Sequence, residues 1–189
     1  MMSLPPFPLA NVQLVEDEPG EAIDRFLKLR TTERWVLLGR HAAQSVEQLW
    51  TAWIQATRNE LREAMVARSI DAEFLRYLAG THHISEAFAR AGLQRGEKEA
   101  WVLYLCAANG QANDLGHVQP VAVPYASFDK DLDALLDRLG WARQASDVSF
   151  SIEGSKQLGI DLEGWAEDRQ VESLVAHVLM ADDQSSSHR

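Results

Sequence analysis

Residues 101–107, Trp-Val-Leu-Tyr-Leu-Cys-Ala, form a nearly uninterrupted apolar run that is rich in strand-forming residues. A short run of this kind, without alternating polar positions, is typical of a β-strand that is covered on both faces. The run therefore predicts a strand at the centre of a sheet.

The chain before this strand contains two further strand patterns and several helical ones. Residues 11–16 alternate polar and apolar side chains, and residues 35–38 form a compact apolar run ended by glycine. Between them, residues 21–30 carry apolar side chains at helical spacing, which predicts a β-α-β opening. Three more helices are predicted over residues 42–68, residues 72–79 with Asp71 as N-cap, and residues 84–91 ended by Gly92.

The chain after this strand continues the same mixture of elements. A strand is predicted at residues 118–123. Its expected position is a sheet edge, because Pro120 and Pro124 cannot donate the hydrogen bonds that join neighbouring strands. The other predicted elements are a helix over residues 130–139 with Asp129 at its start, an extended segment at residues 148–152, and a helix in the second part of residues 161–181.

These elements predict a single α/β (α+β) domain, with a central mixed, largely antiparallel sheet and helices packed on it. The domain is expected to span residues 11–181, between an N-terminal tail at residues 1–10 and a disordered tail at residues 182–189.

The charge of the chain is unevenly distributed. The net charge of −10 argues against nonspecific nucleic-acid binding through many phosphates. Residues 25–98 nevertheless hold 12 Lys/Arg against 8 Asp/Glu, whereas residues 129–183 hold 5 against 13. Such polarity predicts either two faces for two different partners or two solvated surfaces.

The sequence also favours a cytoplasmic protein. No apolar stretch approaches the roughly 18 residues that span a membrane, and the Pro-rich start lacks the pattern of a secretory signal. The lone cysteine, Cys106, cannot form an internal disulfide, which agrees with a reducing compartment.

Motifs for catalysis are missing from the sequence. Neither a GxGxxG nor a GxxxxGK[ST] loop occurs, which disfavours a nucleotide-using enzyme, and there is no GxSxG elbow. The pair His82-His83 lacks the spacing and the partners of a metal site, and no cofactor is expected. Cys106 leaves one alternative open, a small hydrolase or transferase in which a distant histidine activates the thiol, although a buried structural thiol is the commoner outcome.

Residues 71–105, DAEFLRYLAGTHHISEAFARAGLQRGEKEAWVLYL, resemble the kinase-binding subunits of the KEOPS (EKC) complex, the TPRKB-like family. The match centres on Ile-Ser-Glu-Ala-Phe at residues 84–88, followed by Ala-Gly-Leu at residues 91–93, a short loop and the apolar strand. Residues 40–43 and residues 171–180 resemble the start of the family's long helix and its C-terminal helix.

The resemblance implies a non-catalytic subunit that binds the small atypical kinase/ATPase of KEOPS. It also implies a part in holding tRNA, including the 3′ single-stranded end, for the formation of threonylcarbamoyladenosine. The residues assigned to kinase binding lie on the apolar face of the last helix: Val171, Leu174, Val175, Val178 and Leu179. The residues assigned to tRNA binding are basic or aromatic polar side chains: Arg40, His41, Arg76, His82, His83 and Arg90.

Overall fold

The computed structural model describes residues 4–108 and 123–183, and strand β3, Glu99–Tyr104, lies inside its sheet. β3 pairs antiparallel with β2, Trp35–Gly39, on one side and with β1, Leu9–Gln13, on the other. A short strand, β4 (Ala142–Gln144), pairs antiparallel with β1, so the described strands follow the order β2-β3-β1-β4. The predicted central strand is confirmed.

The side chains of β3 alternate between two hydrophobic clusters, one on each face of the sheet. Trp101 and Leu103 belong to a cluster that also contains helices α2 (Val46–Leu61) and α3 (Ile70–Leu78). Ala100 and Val102 belong to the other, with α1 (Pro19–Leu29) and α5 (Tyr125–Leu139). All four side chains are at most 3% exposed. The predicted α/β class, with helices packed on a largely antiparallel sheet, is confirmed.

Three further helices of the described residues lie on the α2 side: α4 (Ile84–Ala91), α6 (Ile152–Gln157) and α7 (Glu172–Leu179). The described residues also include 3-10 turns at Arg40–Ala42 and Glu167–Arg169. α7 packs against α2 and α3, and α6 packs against the first 3-10 turn. The bounds predicted for α4 are confirmed, and so is a helix in the second part of residues 161–181.

Several predicted element ends were wrong. The long helix starts at Val46 rather than residue 42, because Ser45 and Gln48 form a capping box, and it ends at Leu61 rather than residue 68. Shortly after its end, Glu63 adopts a φ of 56°, which interrupts the helical backbone. The N-cap of α3 is Ser69, whereas Asp71 lies within the helix and pairs with Arg30.

The C-terminal half also differs from the prediction. α5 starts at Tyr125, after Pro124, rather than at residue 130. Residues 148–151 form no strand, and Ile152 begins α6 with Ser151 as its N-cap. The strand predicted at residues 118–123 lies, except for Val123, outside the described residues.

β1 and β2, which with α1 form the predicted β-α-β opening, are not neighbours, because β3 lies between them.

None of the helices in the described ranges combines the length and the apolar composition that crossing a membrane requires.

Candidate partner-binding surface

Helix α7 divides the five residues assigned to kinase binding between two faces. Leu174 and Val178 are 0% exposed and pack inward. Val171 and Leu179 are 44% and 53% exposed, and Val175 between them is half-buried. The division follows from helical geometry, since residues four apart share a face. The outward residues Val171, Val175 and Leu179 are called the α7 stripe below; Leu174 and Val178 are core residues of this chain.

The α7 stripe borders a recess of about 240 Å³. Val171 and Val175 line it together with Ser45 and Glu47 at the start of α2. Met180, directly after the stripe, is also half exposed, at 50%. Contiguous exposed apolar side chains next to a recess are typical of surfaces that bind other proteins.

His177 fixes α7 against the ends of two other helices. Its Nε2 lies 2.8 Å from the carbonyl oxygen of Ala79 and 2.9 Å from that of Leu158, so the nitrogen carries a proton and donates. Burial, together with the positive charge of Arg90, lowers the pKa of His177 below its ordinary value, although the two hydrogen bonds act in the opposite direction. The ring occupies space that a side chain at Gly80 would fill.

Arg76, assigned to tRNA binding, is 0% exposed and lies in a network of buried charges. Its Nη2 donates to Glu73 Oε1 at 2.8 Å, and its Nη1 donates to Asp182 Oδ1 at 2.8 Å. The hydroxyl of Tyr77 donates to Asp182 Oδ2 at 2.7 Å. Arg76 therefore does not reach the surface, and Asp182, assigned to the tail by the sequence, contacts the folded core.

The network alters the ionisation of its members. Burial raises the pKa of Glu73, but hydrogen bonds from Arg76, the Ala67 amide and Asn59 outweigh it, so the net pKa is lowered. Burial and the hydrogen bond to Asp182 raise the pKa of Tyr77 to about 12. Glu73 is thus held as an anion and Tyr77 as a neutral donor.

The other residues assigned to tRNA binding lie at two ends of α4. His82 and His83 precede α4, with His83 exposed, His82 half-buried and their rings 6.1 Å apart. Near the opposite end, His41 donates from Nε2 to the carbonyl of Arg90, and His41 is itself only 9% exposed. An eight-residue helix is about 12 Å long, so the two groups are separated by roughly that distance.

The two arginines of this set already have acidic partners. Arg90 pairs with Glu86 and also donates to the carbonyl of Ala79 at 3.0 Å. Arg40 pairs with Glu99, and half of its side chain is exposed where it lines a polar cleft of about 230 Å³.

Sequence reasoning missed a second apolar surface. A groove of about 250 Å³ runs between α1, β2, α3 and α4. Leu27 and Phe88 on its lining are 47% and 50% exposed. Both residues belong to the apolar helical patterns of the sequence, but only the spacing between the packed helices shows that part of each side chain reaches solvent.

Cys106 is buried in the cluster on the α2 side. Burial raises the pKa of its thiol, and the opposing effect of Arg34 is smaller. A protonated, enclosed thiol is a poor nucleophile. Among the described residues, no group of three or more His, Cys, Asp and Glu side chains is arranged to hold a metal ion.

An α/β fold that exposes an apolar stripe on its last described helix belongs to the class of proteins suited to docking against another protein. Comparison with known families specifies the class. The model of the family described as kinase binding protein CGI-121 matches residues 22–135, more than half of the 189 residues, and the chain belongs to this family. A comparison with curated proteins found no match.

The match runs from α1 into α5. It includes the groove between α1 and α4, the histidine pair and Arg40, whereas α7 lies beyond it. The residues matched by the family thus include the groove but not the α7 stripe.

Proposed function

We propose that this chain is a non-catalytic adaptor of a KEOPS-like complex, in which it binds the small atypical kinase/ATPase and helps to recruit tRNA for threonylcarbamoyladenosine formation. The observation that carries the proposal is the exposure of the α7 stripe on a member of a kinase-binding family.

The α7 stripe has the form of a helical docking site. Val171, Val175 and Leu179 recur at four-residue spacing, which is the pattern of helices that lie in an apolar groove of a partner. Their inward neighbours Leu174 and Val178 hold the helix on the core, so the stripe is presented on a supported element. The recess beside Val171 and Val175 offers space for an apolar side chain of the kinase.

Substitution of the exposed residues tests the kinase contact. Leu179→Arg and Val171→Arg are expected to weaken binding to the KEOPS kinase of the same organism at least tenfold, because they bury a charge in an apolar contact. Ile152→Arg is the matched control, since Ile152 is also exposed, at 48%, but lies on α6. Affinities are measured by calorimetry with the purified kinase. Leu174 and Val178 are unsuitable because their substitution disturbs the core.

The groove between α1 and α4 provides the competing surface. Because it lies within the residues matched by the family, Phe88→Arg is measured beside the α7 variants. Full affinity in Leu179→Arg and Val171→Arg, together with loss of affinity in Phe88→Arg, would reject α7 as the contact and place the kinase on the groove.

The tRNA contact is proposed for the members of the sequence-derived set that reach the surface, the half-buried His82 and the exposed His83 and Arg40. Histidine rings stack on unpaired bases, and the half-exposed guanidinium of Arg40 can pair with a phosphate in place of Glu99. The buried positions of Arg76 and His41 leave them as supporting residues, and Arg90 contributes only the part of its side chain that Glu86 and Ala79 leave accessible.

Binding to tRNA transcripts with and without the 3′ single-stranded end tests this contact. Arg40→Glu is expected to weaken binding and to lower the slope of log affinity against log salt by nearly one unit. The double change His82→Ala and His83→Ala should weaken binding only to the transcript that has the single-stranded end. Lys130→Glu is the control, because Lys130 is exposed on α5, across the sheet from α4. Unchanged affinity and slope in both variants would place tRNA elsewhere.

The alternative function, a hydrolase or transferase that uses Cys106, has no supporting observation. The thiol is buried and its pKa is raised, whereas a nucleophilic cysteine needs an accessible thiolate.

A further inference from the structure

The helix that presents the α7 stripe is too short to be stable alone. It has eight residues, whereas isolated helices shorter than about 12 residues are marginal in water. Its position therefore depends on contacts with the rest of the chain. Leu174 and Val178 supply the apolar contacts, and His177 supplies hydrogen bonds near the middle of the helix.

The C-terminal end of α7 has a polar attachment of its own. Ala181 is 0% exposed, and the following residue, Asp182, reaches α3. Its two carboxylate oxygens have different partners, the guanidinium of Arg76 at 2.8 Å and the hydroxyl of Tyr77 at 2.7 Å. Two charge-assisted hydrogen bonds to separate side chains fix the orientation of a carboxylate as well as its distance.

Loss of Asp182 would not leave an unpaired charge in the core. Arg76 also pairs with Glu73 at 2.8 Å, and both of those side chains are 0% exposed. Because this ion pair would remain, the core of α2, α3 and the sheet would stay intact. The loss would affect the C-terminal end of α7, which would no longer be held to α3 through Arg76 and Tyr77, whereas the contact of His177 with Ala79 would remain.

We propose that Asp182 is a positioning residue that latches α7 onto α3 and so holds the α7 stripe in place for its partner. The partner half of this inference rests on the proposed function, whereas the latch is a property of the chain alone. The chain beyond α7 thereby controls the presentation of a binding surface that Asp182 does not itself form.

Hydrogen exchange of the isolated full chain tests the latch. Asp182→Asn should increase the local opening of the amides of α7 about tenfold. This is the lower end of the effect expected for loss of a charged hydrogen bond, because solvent screens the half-exposed side chain of Asp182. Amides of α2 and β3 should exchange as in the unaltered chain. Asp168→Asn makes the same chemical change at an exposed position before α7 and should leave exchange unchanged.

A double-mutant cycle with Tyr77→Phe identifies the contact. If the carboxylate acts through Tyr77 and Arg76, Asp182→Asn should increase opening less in the Tyr77→Phe background than in the unaltered chain. Asp182→Glu, which keeps the carboxylate, should restore at least part of the protection. Exchange of α7 within twofold of the unaltered chain in Asp182→Asn would overturn the latch.

Affinity for the KEOPS kinase tests the presentation of the stripe. Asp182→Asn should bind several-fold more weakly, Asp182→Glu should recover, and Asp168→Asn should bind normally. Increased opening of α7 with unchanged affinity would overturn the role in presentation. Failure of the unaltered chain to bind the kinase would instead reject the proposed function, and the exchange data would still decide the latch.

Discussion

The environment of His177 makes the stability of the folded chain depend on pH. It is 8% exposed, donates to the carbonyls of Ala79 and Leu158, and has a lowered pKa because of burial. The unfolded chain, with a histidine pKa of about 6.5, therefore takes up this proton at a higher pH than the folded chain does. The contribution of His177 to the free energy of unfolding is therefore fully present above about pH 6.5. It decreases as the pH falls from there towards the lower pKa of the folded state.

We predict that the free energy of unfolding falls below about pH 6.5 by up to roughly 1.4 kcal/mol per pH unit from this group. His177→Gln supplies an amide donor that does not titrate, so its stability should depend less on pH between about 6.5 and 5. Urea unfolding of both proteins across this range provides the measurement. Parallel curves for the two proteins would contradict the assignment.

At the scale of elements, the turn between α3 and α4 depends on a residue without a side chain. Gly80 has a φ of +63°, and a Cβ there would lie 2.4 Å from His177 Nε2. The turn therefore leaves the space in which the ring of His177 on α7 packs. Gly80 directly follows the predicted helix at residues 72–79, but the contact with His177 joins residues nearly one hundred positions apart and is not visible in the sequence.

Gly80→Ala is predicted to destabilise the fold by about 2 kcal/mol or more, because a left-handed backbone and a steric overlap add. Gly20→Ala is the matched control. Gly20 lies in α1, and a Cβ added there would meet nothing within 4 Å, so alanine should be neutral or stabilising by up to about 1 kcal/mol. Thermal unfolding compares the two variants, and equal melting temperatures would contradict the prediction.

Prediction of the elements succeeded where one local signal dominated. α4 has apolar side chains on one face and a glycine directly after its end, and its bounds were correct. The capping box of Ser45 and Gln48 also encodes the start of α2 in the sequence. The helix predicted from the apolar residues at helical spacing over residues 42–68 was nevertheless too long at both ends. β4 escaped prediction because three polar or small residues form a strand only through pairing with β1.

At the scale of the whole molecule, the sheet separates two hydrophobic clusters, and Cys106 lies in the one that also holds α2, α3 and α7. The indole nitrogen of Trp53 donates to the carbonyl of Cys106 at 2.8 Å, which ties this part of the chain to α2. Cys106 is only 5% exposed, so access of a reagent to its thiol is restricted in the folded chain.

We predict that iodoacetamide modifies Cys106 slowly in the native protein at neutral pH, and that the rate rises with urea in parallel with unfolding. Burial and the raised pKa of the thiol are the physical reasons. Mass spectrometry of timed samples follows the reaction, with the unfolded chain as the reference for full reactivity. Rapid modification of the native protein would restore Cys106 as a candidate nucleophile.

The sequence by itself determined the class of fold, the central strand and the resemblance to a kinase-binding family, because these depend on local runs of apolar residues and on short motifs. Tertiary structure alone decided which helical faces remain exposed. It directed Leu174 and Val178 inward and Val171 and Leu179 outward, and it enclosed Arg76 between Glu73 and Asp182. Periodicity locates an apolar face, but burial depends on which distant element packs against that face.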